Sequence, residues 1–409
     1  MADDKPLPTL LELTPLNPVY RADPHGLLDD LRARCPVRKD PLSGGMVMSR
    51  YDDVRNLVSD RSLWRDPLLA DPATRLQNVE PPPEGVPRSE TSSILTLDDP
   101  DHARIRQPLT QAFYARVARF KPQTEAIIDR TLDRIDTSGP FDLMSEFCVP
   151  VPIDVIAAIL GVDPDRLGEF RDWSEGVIQS LNPFRTPEQT AYMERSSKAL
   201  DAYFTQTIIE RRADPRDDLI SDMTRLQTDG APLSDAELRI NLSALLIGGN
   251  LTTTDLIGNA VRLLLLNPDQ LAKLKADPGL INQAVEETLR FEPPVDITGR
   301  VAPREMEIGG CPVGARQTLM FFLRAANRDP EAFEDPHQFD IARKRKPHVA
   351  FGGGAHICIG APLARLEAQV ALLKIFERFP NLRFAKPDEA PVWRTLPFFR
   401  GLERLELLA

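Results

Sequence analysis

The stretch 348–369, HVAFGGGAHICIGAPLARLEAQ, sets a single cysteine where a metal could use it. Cys358 follows three glycines, Gly352, Gly353 and Gly354. It stands just before a helix that begins at about Ala361 or Pro362, because proline suits a first helical turn. The positive end of a helix dipole favours thiolate over thiol. Glycines let the backbone bend and aim N–H groups at the sulfur, and a thiolate ligand needs such donors and an apolar wall. A buried structural cysteine in a tight turn would account for Cys358 alone. It would not account for the flanking glycines, or for Phe351 and His356 at fixed offsets.

A second stretch, GGNLTTTD (248–255), lies inside the apolar run LSALLIGGNLTTTDLIGNAVRLLLL. Each glycine costs roughly 1 kcal/mol against alanine in a helix interior, and β-branched threonine loses rotamer freedom there. Leu245, Gly248, Gly249, Thr252 and Leu256 share one stripe by helical spacing. Close helix packing is one explanation of the paired glycines. The other is a flat ligand on that stripe, where missing Cβ atoms leave room. Two further pairs are unique in the chain: His102 with Arg106 (H-x-x-x-R) and Glu287 with Arg290 (E-x-x-R). Each pair alone would read as solvated surface charge.

These residues need helices to carry them. The segments 121–136 and 362–378 repeat apolar residues at helical spacing, and strand-like pieces are fewer: 44–50, 306–313 and 317–323. Ser234 and Glu237 form a capping box, so the central helix is predicted to start there and run to about Leu266. At about 1.5 Å per residue it would span roughly 45–50 Å and cross a whole domain. The 409 residues are 42% hydrophobic and 27% charged, a globular composition. Length alone suggests two or three domains of about 150 residues. No signal peptide and no uninterrupted apolar run of ~18 residues is present, which leads us to expect a cytoplasmic protein without a membrane span. The formal net charge of −11 disfavours nucleic acid and anionic membranes as partners. Four scattered cysteines without a CxxC pair argue against a disulfide framework and a structural zinc site, and any functional cysteine is expected to act alone.

Taken together, Phe351, Gly352, Gly354, His356, Cys358 and Gly360 fill F-G-x-G-x-H-x-C-x-G. That pattern resembles the haem-binding signature of the cytochrome P450 superfamily, in its soluble bacterial form. The resemblance runs from ADPHGLLDDLRARCPV near the N-terminus to the last strand-like residues. It implies one P450 domain over 1–409, mainly α with a small β region, with haem between the long central helix and the helix after the cysteine loop. It implies haem b (iron protoporphyrin IX) with Cys358 as the axial thiolate and metal ligand. His102, Arg106, Arg300 and His356 would bind the haem propionates, since two buried carboxylates need cationic donors. Glu287, Arg290 and Arg343 would form a structural cluster that fixes the meander 327–343 under the cysteine loop.

The same resemblance implies an oxygen-activating monooxygenase. Gly248 and Gly249 become the small pair beside the haem, and Thr252 the threonine that serves oxygen. Its departure from the family is Leu251, which stands where an acid is usual. Either Asp255, one turn beyond Thr252, relays protons, or water near Thr252 does so with looser coupling to electron input. The remaining alternative uses peroxide, or is a haem-thiolate protein without turnover that senses or binds. Thr252 is retained and the Arg-Pro of peroxide users is absent, so monooxygenation leads.

No reductase module is appended, so electrons are expected from an acidic [2Fe-2S] ferredoxin with an NAD(P)H-dependent reductase. The basic run RKRKPH (343–348), extended by Arg104, Arg116 and Arg119, is its expected docking face. The family's substrate-contact regions map onto Leu181, Phe184, Leu245, Leu251, Val295, Ile297, Leu396 and Phe398, which implies a small to medium hydrophobic substrate. Arg88, Arg185 and Arg400 are candidate anchors for a substrate carboxylate. A monomer is expected.

Overall fold

The computed structural model describes residues 6–76, 79–182, 184–228, 231–344 and 346–409. The chain forms two compact units. One takes the residues up to Glu80, Arg262–Cys358 and Asp388–Arg404, and the other takes Pro81–Val261, Ile359–Pro387 and Leu405–Ala409.

The first unit carries the main sheet. Its four strands run in the order Val37–Lys39, Met46–Met48, Thr318–Phe322, Ile297–Val301. Met46–Met48 pairs antiparallel with Val37–Lys39 and parallel with Thr318–Phe322, which pairs antiparallel with Ile297–Val301. Leu319, Met320, Phe321 and Phe322 are all buried, as a central strand covered on both faces requires. Leu319 and Phe321 join one apolar cluster with Tyr51, Val54 and Val58 of the helix Tyr51–Ser59. Met320 and Phe322 join another with Leu28 and Leu31 of the helix His25–Arg34. The strand-like segment 306–313 is a hairpin, Met306–Ile308 with Cys311–Val313, turning on Gly309 and Gly310.

A buried charge network closes this unit. Arg324 Nε lies 2.5 Å from Asp296 and its guanidinium also pairs with Glu292, while Tyr20 donates to Asp296 at 2.9 Å. Arg400 Nε lies 3.0 Å from Glu292, and its guanidinium stacks 3.8 Å over the Trp393 ring. Burial opposes ionisation of Glu292, but Arg324 and Arg400 outweigh it and hold the carboxyl well below the usual range. Arg400 is therefore no substrate anchor: it is buried and spent on this network.

The second unit is mostly helical. Its helices include Asp101–Val117, Lys121–Leu132, Pro150–Leu160, Leu167–Ile178, Pro187–Ala213 and Ala361–Arg378, beside a three-stranded sheet of Arg383–Phe384, Glu406–Leu408 and Phe141–Asp142. The long helix runs unbroken from Asp235 to Leu266. Its capping box is formed: Glu237 N–H donates to Ser234 Oγ at 3.2 Å, and Ser234 N–H to the Glu237 carboxylate at 3.0 Å. Pro187–Ala213 has a second box, Thr186 with Gln189, that the sequence reading did not use. Among the described residues, no helix is long and apolar enough to cross a membrane.

Candidate functional site

The cysteine loop sits in the first unit, and glycine makes its path possible. Gly352 and Gly354 have φ of 68° and 64°, the left-handed region that other residues avoid. A Cβ on Gly354 would stand 2.8 Å from Ser59 Cα, so the loop packs directly on the end of the helix Tyr51–Ser59. The turn closes with two hydrogen bonds: Gly352 N–H to Val349 O at 2.9 Å, and Cys358 N–H to Phe351 O at 3.0 Å. Cys358 is partly exposed, and the helix Ala361–Arg378 begins three residues later. His356 ends a short 3₁₀ turn, Gly354–His356.

The meander is held from below. Arg290 makes a two-pronged pair with Glu287, Nη2 at 2.7 Å and Nε at 2.8 Å, and Arg343 Nε reaches the same carboxylate at 3.2 Å. The rest of Arg290 donates to the carbonyls of Asn327, Pro336 and Gln338. Arg343 donates to those of Glu334, Asp335 and Gln338. One carboxylate thus orients two guanidiniums that gather the turns of residues 327–343.

Sequence reasoning missed His348, which links this cluster to the loop. Its Nδ1 accepts from Ala350 N–H at 3.2 Å, its ring tilts against Phe351 with centroids 5.9 Å apart, and its Nε2 lies 3.5 Å from Glu286. Its place ten residues before Cys358 in the same short stretch was the available signal.

Arg300 is buried, donating to Val58 O at 3.0 Å and to Gly299 O at 2.8 Å. Nearby, residues 295–297 meet the turn 396–400: Asp296 N–H donates to Phe398 O at 2.8 Å, and Val295 bridges Phe399. The four expected pocket residues Val295, Ile297, Leu396 and Phe398 are not all brought together: Val295 packs on the Leu319/Phe321 cluster, whereas Ile297 and Phe398 pack on the Met320/Phe322 cluster. Phe398 has φ of 67°, a strained conformation for a bulky residue and one that clusters at functional sites.

The long helix, whose residues up to Val261 belong to the second unit, is buried along most of its length but not at its centre. Gly248 is exposed and Thr252, one turn on, is partly so. A Cβ on Gly248 would meet no atom within 4 Å, whereas one on Gly249 would touch Ile156 at 3.5 Å. The two glycines thus differ. Gly249 serves helix packing, and Gly248 leaves an open, flat face. Thr252 Oγ1 donates to Gly248 O at 2.9 Å. Leu245 and Leu251 are buried, and Asp255 is fully so. His102 is buried on the helix Asp101–Val117 with its Nδ1 3.7 Å from Asp99, and Arg106 follows one turn later on the same face. Leu181 is half-buried and Phe184 exposed. Pro183, between them in the expected substrate segment, lies outside the described residues.

The expected docking face is smaller in the structure than in the sequence. Arg104 pairs with Asp101 and Glu237, Arg116 with Asp217 and Asp222, and Arg119 with Asp217. Their charge is neutralised inside the second unit, so they do not extend the basic run. Within that run Arg343 is held by Glu287 and the His348 side chain is largely covered, while Lys344 and Lys346 are exposed. Arg345 lies outside the described residues.

A second missed group is Glu367, nine residues after Cys358. Its side chain is fully buried on the helix Ala361–Arg378, with Oε2 making no hydrogen bond, and burial pushes its carboxyl well above the usual range. A glutamate on the apolar face of a helix was the sequence signal.

Comparison with known proteins shows the family. The cytochrome P450 family model matches residues 279–391, which hold the E-x-x-R helix and the cysteine loop. The chain is 38% identical over 401 residues to cytochrome P450 107B1 of Saccharopolyspora erythraea, covering 96% of this chain and 97% of that one. It is 35% identical to 6-deoxyerythronolide B hydroxylase of the same organism, covering 94% and 96%. Among solved structures, P450BioI in complex with a hexadec-9Z-enoic acid-ligated acyl carrier protein superposes with a TM-score of 0.86 at 31% identity, covering 95% and 99%. Likeness of this extent makes the chain a member of the cytochrome P450 family, a bacterial-type haem-thiolate monooxygenase.

Proposed function

We propose that Cys358 is the axial ligand of haem b, that one atom of O2 is inserted into a small to medium hydrophobic substrate, and that electrons come from an acidic [2Fe-2S] ferredoxin served by an NAD(P)H-dependent reductase. The observation that carries this reading is the cysteine loop. Glycines at positive φ lock it onto Ser59 and bring the Cys358 thiol to three residues before the start of a helix. The residues present fit a haem. Gly248 offers an open flat face, and His102, Arg106, Arg300 and His356 are the donor types that two propionates need. When bound, haem thiolate supplies oxygen activation with two electrons and two protons.

In this proposal the polypeptide does five things. Phe351, Gly352 and Gly360 shape the pocket of the Cys358 sulfur, and the dipole of the following helix favours its thiolate form. Gly248 keeps the long helix thin where the cofactor would lie, while Gly249 lets that helix pack on Ile156. Thr252 presents a hydroxyl that is anchored to Gly248 O yet still accepts a hydrogen bond, so it can order a water and pass protons. Leu251 carries no proton, so supply falls to water and to Asp255, one turn beyond Thr252. Leu181, Phe184, Leu245, Leu251, Val295, Ile297, Leu396 and Phe398 provide apolar contacts that select a hydrophobic molecule. Lys344 and Lys346 give an otherwise acidic protein a local positive face for the ferredoxin. We place the protein in the cytoplasm, working as a monomer and as one functional domain.

The test is a library of apolar compounds titrated against the haem-loaded protein. Ligands that shift the haem from low to high spin should also drive NADH consumption with ferredoxin and reductase. Their products should carry one oxygen from labelled O2. Substrate-independent NADH use, or product oxygen derived from water, would contradict the proposal.

A further inference from the structure

The four cysteines fall into distinct settings. Cys148 is sealed in the second unit, and burial raises its thiol well above its usual range. Cys358 belongs to the loop described above. The other two, Cys35 and Cys311, are far apart in sequence yet converge on one atom. The Val37 carbonyl oxygen accepts from Cys35 Sγ at 3.5 Å and from Cys311 Sγ at 3.2 Å. Cys35 caps the C-terminus of the helix His25–Arg34, and Cys311 opens the second strand of the 306–313 hairpin. That hairpin is seated on Val37: a Cβ on Gly309 would stand 2.9 Å from Val37 Cγ2. Both thiols are free and partly exposed. All of these residues lie within the first unit.

Two sulfurs that share one acceptor lie no more than about 6.7 Å apart. A thiol is a weak donor, so little holds either one on the carbonyl. Rotation about each Cα–Cβ bond can exchange the two S–H···O contacts for one S–S bond of about 2.05 Å. The thiolate is the nucleophilic form of either cysteine.

We propose that Cys35 and Cys311 form a reversible oxidative modification site, closing to a disulfide when a peroxide is present. The Cys35 thiolate attacks one oxygen of hydrogen peroxide. The O–O bond breaks, Cys35 becomes a sulfenic acid, and the departing hydroxide takes up a proton to become water. The Cys311 sulfur then attacks the Cys35 sulfur. An S–S bond forms, the S–O bond breaks, and the hydroxyl leaves as a second water with the Cys311 proton. Two thiols are oxidised by two electrons, and one peroxide is reduced to two waters. The link ties the hairpin to the segment ahead of the first strand and closes a long loop of chain, which restricts the unfolded state. It stands independently of what Cys358 binds.

The full-length protein is treated with near-stoichiometric hydrogen peroxide, alkylated without reduction, digested and mapped by mass. A parallel sample receives diamide, which takes the same two electrons and two protons without acting as a peroxide toward haem. The expected result in both is one cross-linked peptide joining Cys35 to Cys311, about 2 Da below the sum of its thiol parts. It should disappear with dithiothreitol and be absent from Cys35→Ser and Cys311→Ser. Wild-type protein in which the two cysteines alkylate or over-oxidise separately, with no such cross-link, would overturn the proposal. So would a link that joins either of them to Cys148 or Cys358 instead.

Discussion

The Thr252 hydroxyl donates to the carbonyl of Gly248 at 2.9 Å, one turn back along an unbroken helix. Such a bond to the i−4 carbonyl holds a side chain in one rotamer and competes mildly with the helical ladder. Here it ties the Thr252 hydroxyl to a glycine that has open space beside it. Removing the hydroxyl should therefore affect chemistry much more than folding. Thr252→Ala is expected to unfold within about 1 kcal/mol of wild type, while product formed per NADH falls by roughly tenfold or more. Thr252→Ser should keep most of the coupling. Equal coupling in wild type and Thr252→Ala would remove Thr252 from the proton path.

Leu251 precedes that threonine and is buried and apolar. If proton supply is limited at this position, an acid here should improve it. Leu251→Asp is expected to raise product per NADH without changing the rate of the first electron transfer. Unchanged coupling would mean that water or Asp255 already meets the need.

Gly354 combines a φ of 64° with a Cβ direction aimed 2.8 Å from Ser59 Cα. An alanine would incur about 1–2 kcal/mol for the left-handed conformation, and a backbone clash that no rotamer relieves. Gly354→Ala is expected to displace the cysteine loop and lower the fraction of thiolate-ligated haem at equal protein yield. The readout is haem absorbance against total protein. Full haem occupancy with an unshifted spectrum would show that the loop tolerates a side chain.

Glu367 gives a prediction in pH. Burial raises its carboxyl well above the ordinary 4.5 in the folded state. Its contribution to stability is thus fully present below about pH 4.5, where both states are protonated. It is lost as pH rises toward the folded value, because only the unfolded chain releases its proton. Glu367→Gln cannot titrate and should escape that loss. Relative to wild type, the variant should gain denaturant stability between pH 5 and pH 8 by roughly 1.4 kcal/mol per unit of pKa shift. A constant difference across that range would mean Glu367 is ionised in the fold.

Much of this was legible in the sequence where the signal was local. The capping box Ser234–Glu237 fixed the start of the long helix because both partners lie within one turn. The strand-like runs 44–50 and 317–323 became Met46–Met48 and Thr318–Phe322, and 306–313 folded into a hairpin on its two glycines. Long-range relations were not legible. No spacing rule says that Arg116 meets Asp217 and Asp222, or that Arg400 meets Glu292, so charges that read as exposed were already paired. Nor could the sequence reveal that Cys35 and Cys311 share an acceptor, since the convergence depends on how the hairpin packs on Val37. The two glycines at 248 and 249 looked equivalent. Only the packing of Ile156 against Gly249 separates a structural glycine from one facing open space.

The central claim is that the Cys358 thiolate ligates haem iron. The most direct measurement is the difference spectrum of the reduced protein with carbon monoxide, taken for wild type and for Cys358→His. Wild type should give the red-shifted Soret band that marks a thiolate ligand, and Cys358→His should bind haem but give only the shorter-wavelength band of a nitrogen ligand. A wild type without the red-shifted band, or a Cys358→His variant that keeps it, would contradict the account.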